Sequence, residues 1–302
     1  MRTLAFLPDE RLCVVSGNER TVQLRRLRGQ LVREPPEPIT GVFAIATSKD
    51  GDWVVTGTTD GFATWNLVQN RIERYLIGGV RAIDISSDSK WVITGSDDYT
   101  ADVWDLSTGE RHPGLGPLRH DYCVMGVKFC PCGKRVATAA HLGFIQIYAT
   151  SSGQKLFTIP TIVSSSFVSN FTFAWSALSP RVFAVSQGQI KCLNSNDGSL
   201  VSWWSIDVSN GHSSHVALSP NSKIIAYSVN NNILLRDTVT CKQVGDILED
   251  VEDVSCITFS SGGDRLVAAR VDAKPIVWDL RKLLSDTSYF IEVGTFYLCV
   301  FT

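Results

Sequence analysis

Residues 91–106, WVITGSDDYTADVWDL, hold an apolar run, a polar turn and a second apolar run that ends on a Trp-Asp pair. Val92 and Ile93 are β-branched, Asp97, Asp98 and Tyr99 make the turn, and residues 101–106 resume the apolar run, which reads as two antiparallel strands and their connection. A lone hairpin buries too little to be stable, so a chain built on one must repeat it or cover it. This chain repeats it. Seven units follow one another at a period of roughly 40 residues, in the range of a propeller blade.

The units are 4–27, 42–67, 80–106, 123–148, 173–195, 216–237 and 254–280. Each runs as strand, small turn, strand, second turn, third strand. The second unit keeps Thr56, Asp60 and Trp65, the third keeps Thr94, Asp98 and Trp104, and the last keeps Asp272 and closes on Trp278 and Asp279. The fourth puts Cys130, Pro131, Cys132 and Gly133 where a Ser-Pro-Asp-Gly turn is expected, and Tyr148 at the aromatic position. The fifth is the most decayed, with Leu193 in place of Trp. Pro35, Pro36 and Pro38 fall between the first two units, at an outer edge where proline is tolerated.

With 44% hydrophobic and 19% charged residues, the 302-residue chain is globular, and a net charge of -2 gives no reason to expect nucleic acid or an anionic membrane as partner. No apolar run has the length of a signal peptide or a membrane span, so a cytoplasmic protein is expected, with the nucleus left open. The eight cysteines lie mostly in apolar segments and read as reduced thiols.

Three strands per unit with SGxxDG-like turns and a terminal VWDL resemble the WD-repeat β-propellers, across nearly the whole chain. The resemblance implies an all-β, seven-bladed β-propeller with four-stranded antiparallel blades, a single domain over residues 1–302. Because Met1 leads directly into an inner-type strand, the tail, 287–302, is expected to supply the outer strand of the last blade. The segments AVSQGQIK and IAYSVNNNILLRD further resemble the C-terminal propellers of fungal NACHT-class signalling NTPases, which would make this a sensor module.

The family resemblance also implies a bonded set of Asp, His, Ser or Thr, and Trp in each blade. Here it is incomplete: the third unit offers Asp98, Thr94 and Trp104 without a histidine, and the fourth offers His120 and Thr138 with Leu142 near the Asp position. These residues are read as structural. His120, Cys123, Cys130, Cys132 and His141 do not have the spacing of a zinc site. His212, Ser213, Ser214 and His215 lack the glycine elbow of a hydrolase. In the run Arg20, Arg25, Arg26, Arg28 and Arg33, LRRLRG lacks the aromatic residue of a phosphoinositide-binding arginine pair, and residues 299–302 match a prenylation pattern only in form.

The expected function is therefore a non-catalytic scaffold or sensor module, without cofactor, that takes a protein or peptide partner on propeller loops, as a monomer or within a larger complex. Arg81, Tyr99, Tyr122, His141 and Phe144 are the candidate contacts. The alternatives are an enzyme at the channel mouth, using Asp84, Asp102, His120 and His141, and a subunit that presents substrates within a larger complex.

Overall fold

The computed structural model describes residues 3–9, 11–16, 21–27, 29–141, 144–159, 173–186, 189–206, 215–229, 231–249, 254–270 and 275–284. They form seven antiparallel sheets. The first holds Thr3–Phe6, Leu12–Ser16, Thr21–Arg25 and Leu31–Arg33 (β1 to β4), and the second Ala44–Thr47, Trp53–Gly57, Gly61–Asn66 and Arg71–Leu76 (β5 to β8). The third holds Val80–Ile85, Trp91–Ser96, Thr100–Asp105 and Leu118–Arg119 (β9 to β12). The fourth holds Val124–Phe129, Arg135–Ala140, Ile145–Ala149 and Lys155–Ile159 (β13 to β16). The fifth holds Phe173–Trp175, Arg181–Ser186, Gln189–Asn194 and Leu200–Ser205 (β17 to β20). The sixth is Val216–Leu218, Ile224–Val229 and Asn232–Asp237 (β21 to β23), and the seventh Val254–Phe259, Arg265–Arg270 and Ile276–Asp279 (β24 to β26), followed by a helical turn, Leu280–Leu283 (α1).

The first strands of the sheets, β1, β5, β9, β13, β17, β21 and β24, neighbour one another in that order, and β24 also lies against β1. Apolar side chains fill the gaps between sheets. Strand β10 shows why the sequence looks as it does: Val92 packs toward the second sheet and Ile93 toward the fourth, so a strand covered on both faces is apolar at successive positions. Trp65 is fully buried between the first two sheets with Leu7, Leu24 and Ile39. Between the seventh sheet and the first, among the described residues, only Leu4, Val267 and Ala269 are fully enclosed, with Phe6, Leu27, Cys256 and Val277 partly buried beside them.

Five sheets have the expected four strands; the sixth and seventh have three among the described residues. In the sixth, the fourth strand shrinks to the isolated bridges Arg236↔Gln243 and Ile233↔Leu248. Gly245, at φ +68, turns the chain out of strand geometry between them. The expected outer strand at 287–302 lies outside the described residues.

The turn between first and second strands is built alike in several sheets. Ser48, Ser86 and Ser219 each donate from Oγ to the side chain two residues on, Asp50, Asp88 and Asn221, at 2.5, 2.6 and 2.8 Å. Each Oγ also accepts the backbone N–H five residues on, of Trp53, Trp91 and Ile224, at 2.9 Å. That bond closes the turn and starts the second strand.

Gly61 shows how close the third and fourth strands come. A Cβ there would stand 1.9 Å from the Tyr75 carbonyl oxygen. Gly61→Ala is expected to cost about 1–3 kcal/mol through displaced backbone, read as a lower urea midpoint at unchanged slope.

Candidate functional site

Four of the five candidate contacts lie on the turns that join second to third strands and on the connections into first strands, which share one face, and Arg81 is the second residue of β9. Tyr99 ends the β10–β11 turn, and its carbonyl accepts the N–H of His120 at 2.9 Å, bringing the β12–β13 connection beside it. Tyr122 lies in that connection. His141 follows β14 and donates its N–H to the Cys123 carbonyl at 2.8 Å, and Phe144 comes just before β15. Tyr99, Tyr122 and Phe144 are 49%, 47% and 49% exposed, so three aromatic rings are half in water on adjoining turns of the third and fourth sheets.

Arg81 anchors the side of this face toward the channel. Its Nε donates to both carboxylate oxygens of Asp97 at 2.9 and 2.8 Å, Nη2 stands 2.8 Å from Oδ2, and the guanidinium lies 3.9 Å above the Phe43 ring. A fork of this kind fixes the turn more than it stabilises the fold, because both groups remain a third exposed. Cys123 Sγ donates to the Asp97 carbonyl at 3.8 Å, which joins the turn to the following connection. Asp97 and Cys123 are not among the five candidate contacts. The signal was there, since two consecutive acids in one tight turn cannot both cap it: Asp98 accepts from the N–H and Oγ1 of Thr100 at 2.9 and 2.7 Å, which leaves Asp97 to reach across. Asp60, Asp98 and Asp121 are exposed on the turns and connections of this side.

Of the residues read as structural, Thr94 and Trp104 meet: Trp104 Nε1 donates to Thr94 Oγ1 at 3.0 Å. Asp98 does not join them, and this corrects the expected set. Thr138 Oγ1 and His120 Nε2 share a hydrogen bond of 3.0 Å between the third and fourth sheets. In the second sheet Trp65 donates instead to Asn70 Oδ1 at 3.2 Å, while the buried Thr56 donates to the Ala63 carbonyl at 3.4 Å and Asp60 stays exposed. Trp278 is half-buried against the cluster between the sixth and seventh sheets. Asp272, Leu142, His212, Ser213, Ser214 and residues 299–302 lie outside the described residues.

The four groups considered for catalysis do not converge. Asp84 pairs with Lys128 at 2.7 Å and accepts the Phe129 N–H at 2.8 Å. Asp102 stands opposite Thr94 and Asp84 opposite Ile93, so their side chains leave opposite faces of the sheet. Burial raises the carboxyl of Asp102, against the pull of Arg111. The group His120, Cys123, Cys130, Cys132 and His141 is split as well: the two cysteines precede β14 and His141 follows it, about 20 Å away at ordinary strand rise. Among the described residues no three His, Cys, Asp or Glu side chains are placed to hold a metal ion. Arg25 and Arg33 donate to the Gly29 and Leu67 carbonyls at 2.7 Å, which engages these two arginines of the run within the first two sheets, while Arg26 is exposed. Inside the ring the first strands enclose a channel of about 1140 Å³.

Residues 29–64 and 74–105 match the family model described as WD domain, G-beta repeat. Those two stretches carry WD repeats. The first match begins two residues before the outer strand β4 and the second within the outer strand β8, and each continues into the first three strands of the next sheet. No curated protein matches the chain. Among solved structures, a chain of the hydrazine synthase of Kuenenia stuttgartiensis superposes with a TM-score of 0.75 at 14% identity, over 91% of this chain and 94% of that one. At that identity the likeness is one of fold. No helix among the described residues is long and apolar enough to cross a membrane.

Proposed function

We propose that this chain is a non-catalytic protein-interaction module, its seven sheets the blades of one ring, that takes a protein or peptide partner on the face carrying Arg81, Tyr99, Tyr122, His141 and Phe144. The observation that carries the reading is the gathering of three half-exposed aromatic rings on adjoining turns. Aromatic and arginine side chains on a preorganised surface are the usual anchors of such contacts. Asp60, Asp98 and Asp121 around them favour a partner segment with basic residues. WD-repeat propellers are typically interaction scaffolds, which supports the same reading. Asp84 and Asp102, named for the enzyme alternative, leave opposite faces of their sheet. Presentation of substrates within a larger complex would use the same surface and differs only in what the partner carries. The tail at 287–302 as outer strand of the last blade, a cytoplasmic location, and a role as a sensor module of the NACHT kind rest on the sequence reading.

The test is capture by the immobilised chain. The triple variant Tyr99→Ala, Tyr122→Ala, Phe144→Ala is expected to lose the partners that the unaltered chain retains, by tenfold or more. The variant Leu200→Ser, Trp203→Ser, at the exposed rim of the fifth sheet, is expected to keep them. Equal capture by the unaltered chain and the triple variant would end the assignment.

A further inference from the structure

The first turn of the fourth sheet carries sulfur where the second, third and sixth sheets carry a Ser-Asp or Ser-Asn pair. Its backbone is the same. Cys130 N–H donates to the Arg135 carbonyl at 2.9 Å and Gly133 N–H to the Cys130 carbonyl at 2.8 Å. The turn at Ser86 has the matching bonds, Ser86 N–H to Trp91 O at 2.9 Å and Ser89 N–H to Ser86 O at 2.9 Å, and the turn at Ser219 has them at 2.8 and 2.7 Å. The fourth residue of each turn, Gly51, Ser89, Gly133 and Ser222, has positive φ. In the second, third and sixth sheets this geometry brings the side chains at the first and third positions into contact, as oxygen pairs 2.5 to 2.8 Å apart. In the fourth sheet it sets Cys130 Sγ and Cys132 Sγ 2.7 Å apart. The fold therefore holds two thiols together for a reason that has nothing to do with sulfur.

We propose that Cys130 and Cys132 form a reversible thiol–disulfide site that reacts with low-molecular-weight disulfides of the glutathione type. Cys132 is exposed and Cys130 is buried, which assigns the order of events. The Cys132 thiolate attacks one sulfur of the small disulfide, forming a mixed disulfide and releasing one thiolate. Cys130 then loses its proton to solvent and attacks the Cys132 sulfur, closing the internal bond and releasing the second thiolate. The two cysteines give up two electrons, and the small disulfide takes them up as two thiols. Burial, and then the contact with Cys132, push the Cys130 thiol up to about 12. The second step needs the Cys130 thiolate and therefore speeds up as pH rises. Reduced glutathione in excess reverses both steps, as befits an exposed disulfide. The site stands at the opposite end of β14 from His141, so it does not depend on the interaction face.

The test uses the full chain, folded, treated with oxidised glutathione at pH 8 and then alkylated in denaturant. The tryptic peptide 129–134 holds both cysteines and no others. It is expected to escape alkylation, to be lighter by two hydrogens than the reduced peptide, and to take two alkyl groups once dithiothreitol is added first. Cys130→Ser is expected to stop at the mixed disulfide on Cys132. Cys130→Ser with Cys132→Asp rebuilds the turn found at Ser86 and Asp88, and should fold and take no adduct at this turn. Two alkylated cysteines after oxidation, or glutathione retained on Cys132 of the unaltered chain, would overturn the proposal.

Discussion

Trp104→Ala is expected to lower the stability of the ring by about 3–5 kcal/mol, the cost of deleting a large buried aromatic ring. Trp104 is 6% exposed. Its ring is tilted against Phe62 of the second sheet at 5.4 Å, Phe62 is stacked on Tyr75 at 4.5 Å, and the Arg111 guanidinium lies 4.8 Å from its centroid. One side chain thus joins two sheets, and alanine would leave a cavity bounded by both. The polar part is separable: Trp104→Phe keeps most of the packing and loses the Nε1 bond to Thr94, for about 1 kcal/mol. Chemical denaturation measures both. An alanine variant with an unchanged midpoint would mean that the register of the third sheet has been misassigned.

The second large effect is acid destabilisation through His215. Its backbone is tied to Ser228, N–H to Oγ at 2.9 Å and Ser228 N–H to its carbonyl at 3.0 Å, and the residue is 5% exposed. Burial pushes the ring down from 6.5 to about 4. Between those values the unfolded chain binds a proton that the folded chain refuses, so stability falls as the pH drops from 6.5 toward 4 and is unaffected above 6.5. The full loss from this residue is on the order of 3 kcal/mol. His120, also pushed down to about 4 by burial, adds in the same direction. Denaturation midpoints across this window are expected to fall steeply in the unaltered chain and less steeply in His215→Gln. Equal slopes would show that His215 is not buried neutral.

What could be read from the sequence follows from burial. Strands such as β10, covered on both faces, had to be apolar at successive positions, and the seven units found that way correspond to the seven sheets. Outer strands such as RIERYL at β8 are partly exposed along their length and mix polar with apolar residues without a regular period, so composition says little about where they begin. The shortened edge of the sixth sheet turns on Gly245, a single residue inside an otherwise ordinary stretch. Side-chain partners were harder still. Thr94 with Trp104 and Thr138 with His120 follow from their positions in the repeat. Which of Asp97 and Asp98 caps its own turn depends on Thr100, and whether Trp65 reaches Thr56 or Asn70 depends on the φ of 53° at Asn70. Neither is a property of residue type at a given spacing. The candidate face was legible because turns were legible, but Asp97, which fixes Arg81, was not.

The interaction face can be tested without knowing the partner. A photo-activated benzophenone amino acid placed at Tyr122 is expected to cross-link partners from the native environment of the chain, and the same group at Trp203, on the rim of the fifth sheet, to cross-link none of them. Adducts at Trp203 with none at Tyr122 would place the partner on the rim and contradict the assignment.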